Sequence, residues 1–211
     1  MKLKIYEELQ KEVLSCEKCD LGCNGLVDGK DPHVMGQGSL DTKIMFIAEA
    51  PGEQETIYKK PLTPPGKSGK IYEKVLDYLG LKREDVYTTN VVLCRPPDNR
   101  DPEPYEVIRC KDYLERQLLL INPKIIITFG RFAAQNFINN FKITRDHGII
   151  QKHEEYKVDI FPLYHPAYVG VYAPISKREE FKDDLKKLKK IIESYKYDAS
   201  APSSFTINSQ S

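Results

Sequence analysis

The chain has 211 residues, and its 32 Lys and Arg side chains almost balance its 31 Asp and Glu side chains. This length allows a substantial hydrophobic core in one domain, and the balanced charge excludes a uniformly basic surface, so a surface for an anionic partner must be a local patch. No run reaches the ~18 apolar residues of a membrane span, and residues 1–16 lack the apolar core of a signal peptide. We therefore expect an intracellular, cytoplasmic protein that does not bind membranes.

Apolar runs and helical patterns alternate along the chain. A short amphipathic helix is predicted before Cys16, and four short apolar runs predict buried strands at 43–48, 85–93, 124–129 and 158–163. Helical periodicity is found at 68–81, 104–121, 131–138 and 177–194. Near-continuous apolar strands covered by helices indicate an α/β fold, a three-layer α/β/α sandwich with a central four-stranded, mainly parallel sheet. We expect one domain over 1–196 and a mobile polar tail over 197–211.

The cysteines form two widely separated pairs. Cys16 and Cys19 are two residues apart in a C-x-x-C pattern, whereas fifteen residues separate Cys94 from Cys110. Four thiolates that meet in a fold usually hold one inorganic centre, either tetrahedral zinc or an iron–sulfur cluster. Zinc ribbons repeat C-x-x-C in both halves, so the long second spacing favours the bulkier cluster. Disulfides or scattered buried thiols are the alternative, but nothing here indicates an oxidising compartment. Cys23 is left over.

Three polar segments follow predicted strands. The first is 48–55, the second runs from Asn90 to Arg100, and the third is 164–168. Ligands of parallel sheets bind beyond the carboxyl ends of the strands, where such loops converge. Each segment alone is weak evidence, because acidic loops are usually just solvated and a single histidine near a strand end is more often structural than catalytic.

In this order, and with these cysteines, the motifs resemble those of the family 4 uracil-DNA glycosylases, the iron–sulfur branch of the uracil-DNA glycosylase superfamily. The resemblance covers about residues 16–192 and rests on segments 49–55, 89–97, 99–100 and 165–168. It implies an enzyme that flips deoxyuridine out of single- or double-stranded DNA and hydrolyses the N-glycosidic bond, releasing uracil and leaving an abasic site. It also implies a 4Fe-4S cluster on Cys16, Cys19, Cys94 and Cys110.

The resemblance assigns roles around the base. His165 would donate to uracil O2, where negative charge develops, and the Asn90 amide would pair with O4 and N3–H. Glu49 is the candidate for polarising the attacking water or stabilising the cationic sugar. Backbone at Ala50 and Gly52 would lie against the base, with an N–H of this turn as a second donor. The best-known branch of the superfamily has an aspartate at the place of Ala50, so catalysis would depend chiefly on stabilising the leaving group.

Two further pocket positions follow from the resemblance. Glu55 would lie near uracil C5 and crowd a thymine methyl group. Leu62 occupies the place of the aromatic residue that stacks on uracil in the family, and it forfeits part of a stacking gain of roughly 1–3 kcal/mol per base. Tyr58 is a candidate substitute. The segment after Leu62 is also about one residue longer than usual.

Local positive charge and an apolar wedge are expected on the DNA side. Lys67, Ser68 and Arg100 are predicted to contact DNA, although ordinary surface charge explains each lysine about equally well. Pro166 and Tyr168 would wedge into the base stack where the uracil left it.

Partners and alternatives complete the interpretation. We expect a monomer that works at the nucleoid on uracil-containing DNA, and a replication or repair protein as a partner of the tail, although a purely solvated tail is the simpler expectation. The alternatives are a non-catalytic DNA lesion-binding protein of the same fold, and a structural zinc ion in place of the cluster.

Overall fold

The computed structural model describes residues 1–23 and 27–197. Its strands are β1 (Gln37–Gly38), β2 (Ile44–Ala48), β3 (Tyr87–Asn90), β4 (Ile125–Phe129), β5 (Gln151–His153) and β6 (Val158–Leu163). Its helices are α1 (Lys2–Leu14), α2 (Asp20–Cys23), α3 (Glu53–Tyr58), α4 (Lys67–Leu79), α5 (Pro104–Ile121), α6 (Gly130–Gln135), α7 (Ile143–Asp146) and α8 (Ile175–Tyr197). Short turns of other helix types lie at Arg83–Asp85, Pro97–Asn99 and Tyr168–Tyr172.

Within this part of the chain, one six-stranded sheet has the order β1-β3-β2-β4-β6-β5. The central strands β3, β2, β4 and β6 are parallel, whereas β1 and β5 pair antiparallel at the two edges. The four predicted parallel strands are confirmed, but the expected strand number was too low by the two edge strands. These strands have two and three residues and carry polar side chains, so they leave no apolar run or alternation in the sequence.

Helices cover both faces of the sheet, which confirms the three-layer sandwich. On one face, apolar side chains of α4 and α8 pack with Phe46, Ile127 and Phe129. On the other face, α1, α5 and α6 pack with Met45 and Ile126. Because successive residues of a strand point to opposite faces, the buried strands β2 and β4 contribute to both cores, which explains their continuous apolar sequences.

Local signals explain where several elements begin and end. The predicted α5 is observed with the same bounds: Pro104 is its first residue, the Glu103 N–H donates to the Glu106 carboxylate at 2.7 Å, and Asn122 ends it with φ 53°. The predicted strand over 85–93 is shorter, because β3 ends at Asn90. Helix α8 includes Tyr197, the first residue of the predicted tail, and residues 198–211 lie outside the described part of the chain.

The strand register brings the carboxyl ends of the parallel strands to one edge. Ala48 pairs with Asn90, Ile47 with Thr128, and Phe129 with Leu163. The loops after β2, β3, β4 and β6 therefore meet at this edge, where ligands of parallel sheets bind. None of the helices described is both long and apolar enough to cross a lipid bilayer.

Candidate active site

Asn90 ends β3 with a carboxamide that is 0% exposed. Neither its Nδ2 nor its Oδ1 atom has a hydrogen-bond partner among the described residues. Leaving a buried polar group unpaired costs about 1–3 kcal/mol, so natural proteins keep few of them. An amide with both a free donor and a free acceptor is suited to a ligand edge that offers one acceptor beside one donor.

The Asn90 side chain points to the α4/α8 face of the sheet. Thr88, two residues earlier on the same face of β3, bonds Tyr72 of α4 at 2.6 Å. The Thr128 hydroxyl is also buried without a partner among the residues described, but strand alternation directs it to the opposite face, with Ile126. The two unpaired groups therefore lie on opposite faces of the sheet.

His165 follows β6, and its ring packs against Gly130, the first residue of α6. A Cβ atom at position 130 would lie 3.3 Å from the His165 Cβ atom, and Gly130 has φ +86°. A glycine is therefore needed here both for space and for the backbone conformation.

The tautomer of His165 follows from its surroundings. Its Nδ1 atom accepts a hydrogen bond from the Ala167 N–H at 3.2 Å, which places the ring proton on Nε2. Burial lowers the pKa of His165 to about 4, so the imidazole is neutral at neutral pH. The side chain is still partly exposed by area, which leaves it access to the cleft. His165 is thus a neutral N–H donor.

Asn90 and His165 lie at the ends of two strands that are not neighbours in the sheet. Two strands, β2 and β4, separate β3 from β6. Three inter-strand spacings put the backbones of the two strand ends about 14 Å apart.

Glu49 follows β2, between these two groups in the sheet order, and is partly buried. Burial is the main cause that raises the pKa of its carboxyl group to about 7, and the nearby Asp101 carboxylate, which forms a hydrogen bond with it, adds to the effect. Arg131 acts in the opposite direction. Glu49 can therefore exchange a proton near neutral pH.

Glu55 lies in the first turn of α3 and joins two loops. One carboxylate oxygen accepts the Gly52 N–H at 2.7 Å, and the other accepts the Leu62 N–H at 2.6 Å. Both oxygens thus hold backbone, one in the turn before α3 and the other in the segment after it. The Glu55 side chain is 8% exposed, and its predicted position near uracil C5 stays a prediction.

Leu62 is buried in the α4/α8 core and has φ 47°, a conformation that residues other than glycine rarely adopt. Its N–H bonds Glu55, and its carbonyl accepts a hydrogen bond from the Arg83 guanidinium. Arg83 also donates to the Pro61 carbonyl at 3.0 Å and pairs with Glu73 at 2.5 Å. Glu55 and Arg83 therefore hold the Leu62 backbone from both sides.

Comparison with known proteins places this arrangement in a family. The profile of the uracil DNA glycosylase superfamily matches residues 35–189. The chain is 42% identical over 193 residues to a type-4 uracil-DNA glycosylase of Archaeoglobus fulgidus, covering 88% of this chain and 92% of the relative. The corresponding protein of Sulfurisphaera tokodaii is 38% identical, with 88% and 84% covered, and that of Thermotoga maritima is 33% identical, with 90% and 95% covered. The chain belongs to the type-4 uracil-DNA glycosylases.

The four cysteines expected for a type-4 uracil-DNA glycosylase meet in this fold. Cys16, Cys19, Cys94 and Cys110 line one cavity between α1, α2 and α5. Backbone N–H groups point at the sulfur atoms: that of Lys18 at Cys16 Sγ (3.5 Å), that of Leu93 at Cys110 Sγ (3.3 Å), and those of Leu21 and Gly22 at Cys19. Such donors stabilise thiolates and are typical of iron–sulfur sites. Cys23 ends α2, and its side chain lies outside the described part.

Among residues 1–23 and 27–197, no group of three or more His, Cys, Asp or Glu side chains is arranged to hold one metal ion. A zinc ion needs its four ligands within about 2.3 Å, whereas a four-iron cluster bridges a wider set of sulfur atoms. Four thiols are a donor set for both centres, so the cluster stays a prediction.

The residues predicted to contact DNA lie in two environments. Lys67 is exposed and Ser68 partly exposed at the start of α4, and Gly170 approaches Ile71 of the same helix so closely that an added Cβ would be 2.7 Å from its Cγ1 atom. The segment that contains Pro166 and Tyr168 therefore packs beside the α4 N-terminus, and its Tyr172 is 72% exposed.

Arg100 is differently placed. Its guanidinium donates to both oxygens of the buried Glu106, at 2.9 and 2.5 Å, and to the Asp101 carbonyl at 2.9 Å. These bonds attach the Arg100 side chain to the start of α5. A contact between Arg100 and DNA would therefore compete with its ion pair to Glu106.

Several residues of this site were not predicted from the sequence. Gly130, Arg83, Asp101 and Arg131 are distant in sequence from the residues they contact and belong to no recognised motif. Asn99-Arg100 was noted, but the neighbouring Asp101 was not. The one local signal was Gly130 directly after the β-branched strand β4, which indicates a tight turn or a close approach.

Proposed function

We propose that this protein is a uracil-DNA glycosylase, which flips deoxyuridine out of DNA and hydrolyses the N-glycosidic bond to release uracil and leave an abasic site. The observation that carries the proposal is the buried Asn90 carboxamide, whose two polar atoms have no partner in the described chain. The uracil edge offers an acceptor, O4, beside a donor, N3–H, and would satisfy both atoms. Cytosine offers the opposite polarity, a donor at its amino group beside the N3 acceptor, and would leave both atoms unsatisfied when the amide keeps the orientation that pairs with uracil.

Leaving-group stabilisation falls to His165. As the bond between C1′ and N1 lengthens, its electron pair moves into the uracil ring and negative charge collects at O2. A neutral imidazole with its proton on Nε2 is a preoriented donor for that charge, and removing one such donor typically lowers the rate by about 10²–10³-fold. Because His165 is neutral, it donates a hydrogen bond to O2 without transferring its proton. Uracil therefore leaves as an anion and takes up a proton after the bond has broken.

Water attack falls to Glu49. The oxygen of the water bonds to C1′, the C1′–N1 bond breaks, and the released proton goes to the Glu49 carboxylate. Because the pKa of Glu49 is about 7, a useful fraction is ionised at neutral pH while the group remains a good proton acceptor.

Pocket walls and DNA contacts extend the proposal. Glu55 and Arg83 keep the Leu62 segment and the Ala50–Gly52 turn in place around the base. Lys67 and Ser68 would contact phosphates at the start of α4, and Pro166 and Tyr168 would enter the base stack beside them. Arg100 would attract the DNA backbone by its positive charge while its bonds to Glu106 hold it at the start of α5.

Cys16, Cys19, Cys94 and Cys110 would hold a 4Fe-4S cluster. The cluster would supply a structural cross-link and no step of the hydrolysis. The four residues join the segment 16–23 to the loop after β3 and to α5. Absorbance in the iron–sulfur charge-transfer band together with about four iron atoms per chain would support this, and colourless protein with one zinc ion per chain would contradict it.

The protein is proposed to act as a monomeric single domain over 1–196, at the nucleoid, with the tail from 197 as the segment for a repair or replication partner. Size-exclusion chromatography with light scattering tests the first point, and pull-down with and without residues 198–211 tests the last.

The decisive experiment is excision from a labelled oligonucleotide with one deoxyuridine, followed by alkali to cleave abasic sites. We expect strand cleavage with uracil and none with thymine or cytosine at the same position. Binding without cleavage, at enzyme excess, would instead establish the non-catalytic lesion-binding protein.

A further inference from the structure

Three charged side chains meet beside the candidate site, and each comes from a different strand end. Glu49 follows β2, Asp101 lies in the segment between β3 and α5, and Arg131 is in the first turn of α6, directly after β4. The Arg131 guanidinium contacts the Asp101 carboxylate at 2.6 Å. The Asp101 carboxylate in turn forms a hydrogen bond with the Glu49 carboxyl group. The strand order β3-β2-β4 makes these loops neighbours.

A hydrogen bond between two carboxyl groups needs one proton between them. Asp101 is paired with an arginine, and both members of that pair are more than half exposed, at 60% and 52%. Glu49 is partly buried and its burial raises its pKa, so the shared proton resides on Glu49.

We propose that Asp101 and Arg131 are positioning residues for Glu49: Asp101 orients its carboxyl group toward the attacking water, and Arg131 holds Asp101 in place. This inference rests on the proposed glycosylase function. It names the two residues that control Glu49, the base of the proposed reaction. The Arg131 guanidinium also lies 4.1 Å from the centroid of the Phe132 ring, which fixes its position.

The chemistry balances with water as the only co-reactant. Glu49 must first lose its proton to solvent. Its carboxylate, beside a second carboxylate, is then a stronger base than an isolated one, and it takes a proton from the water whose oxygen bonds to C1′. The C1′–N1 electron pair leaves on uracil. Asp101 and Arg131 exchange no proton and touch no reacting atom.

The charged groups that act on Glu49 are Asp101, which favours its protonated form, and Arg131, which favours its ionised form. The neutral His165 adds no charge at working pH. Removing the charge of Asp101 should therefore lower the pKa of Glu49, whereas removing the charge of Arg131 should raise it.

The test is the pH profile of single-turnover uracil excision. In Asp101→Asn the neighbouring negative charge is lost and an amide N–H can donate to Glu49, so the acidic limb of the profile should move to lower pH by about one unit. In Arg131→Gln the favourable positive charge is lost, so the limb should move to higher pH. Arg131→Lys keeps the charge and should leave the limb near its original pH. Glu49→Gln should remove the limb and most of the rate.

Both substituted residues are exposed, so the variants should fold normally, and their melting temperatures check this. A lower rate with an unmoved acidic limb in Asp101→Asn and Arg131→Gln would overturn the proposal, as would limbs that move in the same direction.

A second measurement does not depend on excision. Carbon NMR of ¹³C-carboxyl-labelled glutamate, with the Glu49 signal assigned by its loss in Glu49→Gln, reports the titration of Glu49 in the free protein. If the wild-type protein does not excise uracil, the proposed function fails; if it excises uracil but Glu49 titrates identically in Asp101→Asn, only this inference fails.

Discussion

The backbone of Gly130 supports the imidazole of His165: an added Cβ would lie 3.3 Å from the His165 Cβ and 3.6 Å from its Cδ2. The contact links the end of β4 to the loop after β6. Gly130 therefore packs directly against the residue that would stabilise the leaving group, which leads to the first prediction.

Gly130→Ala should lower uracil excision by up to about 10²-fold, because a shift of the imidazole by a fraction of an ångström misplaces its Nε2–H. The left-handed backbone should also lower the free energy of unfolding by about 1–2 kcal/mol. Gly80→Ala is the matched control, since Gly80 has φ +65° and nothing within 4 Å of an added Cβ. It should lose similar stability and keep full excision per folded molecule. Equal excision rates for the two variants would exclude the supporting role of Gly130.

Asn90→Leu should abolish uracil excision and yet raise the free energy of unfolding by about 1–3 kcal/mol, because it replaces two unpaired buried polar atoms by an apolar group of similar volume. Thr128→Val is the control: it removes the other unpaired buried hydroxyl, on the opposite face of the sheet, and should gain stability while excision stays unchanged. Urea unfolding and the oligonucleotide assay measure the two quantities. Loss of stability in Asn90→Leu would mean that the amide is satisfied.

His165→Gln should change the pH dependence of stability. The folded-state pKa of His165 is about 4, below its ordinary value of 6.5. Below pH 6.5 the histidine is protonated in the unfolded chain, whereas in the folded protein it stays neutral until the pH approaches 4. The wild type therefore loses stability as the pH falls from 6.5 toward 4. The Gln variant lacks this loss. Its stability relative to wild type should therefore rise over that interval and stay level above pH 7. A constant difference from pH 4 to 8 would contradict the burial of a neutral imidazole.

Glu55→Gln should destabilise the pocket wall, because one of the two backbone N–H donors, from Gly52 or Leu62, would face the NH₂ group of the glutamine instead of an oxygen. We expect a loss of about 1–3 kcal/mol in unfolding free energy and a raised KM for uracil DNA. Glu53→Gln removes the same charge from the same helix, where the Lys30 pair at 3.0 Å is on the surface, and should cost less than about 1 kcal/mol. Equal losses would show that only the charge mattered.

Much of the scaffold was predictable because its signals are local. The apolar β-branched runs gave the four parallel strands, and the helical periodicity gave α4, α5 and α8 to within a few residues at each end. The edge strands β1 and β5 and the short helix α3 were missed. Their formation depends on partners in other parts of the chain, since two or three polar residues have no pattern of their own.

The candidate site shows the same division. Asn90, His165 and Glu49 stood out because they follow strands or lie in motifs. The partners that tune them did not, because Asp101, Arg131, Gly130 and Arg83 are selected by distance in space and not along the chain. Glu55 was predicted to touch the base, whereas the structure adds a role in holding backbone that spacing alone does not reveal.

By itself, then, the order of residues determined the layered architecture, the polar strand ends and the two pairs of thiols, because hydrophobic period and motif spacing are properties of neighbours in the chain. Only the folded arrangement decided that the Asn90 amide is unpaired among the described residues, that His165 carries its proton on Nε2, and that Asp101 raises the pKa of Glu49. Those properties come from desolvation and from contacts between loops of adjacent strands, which arise only when the sheet register brings the loops together.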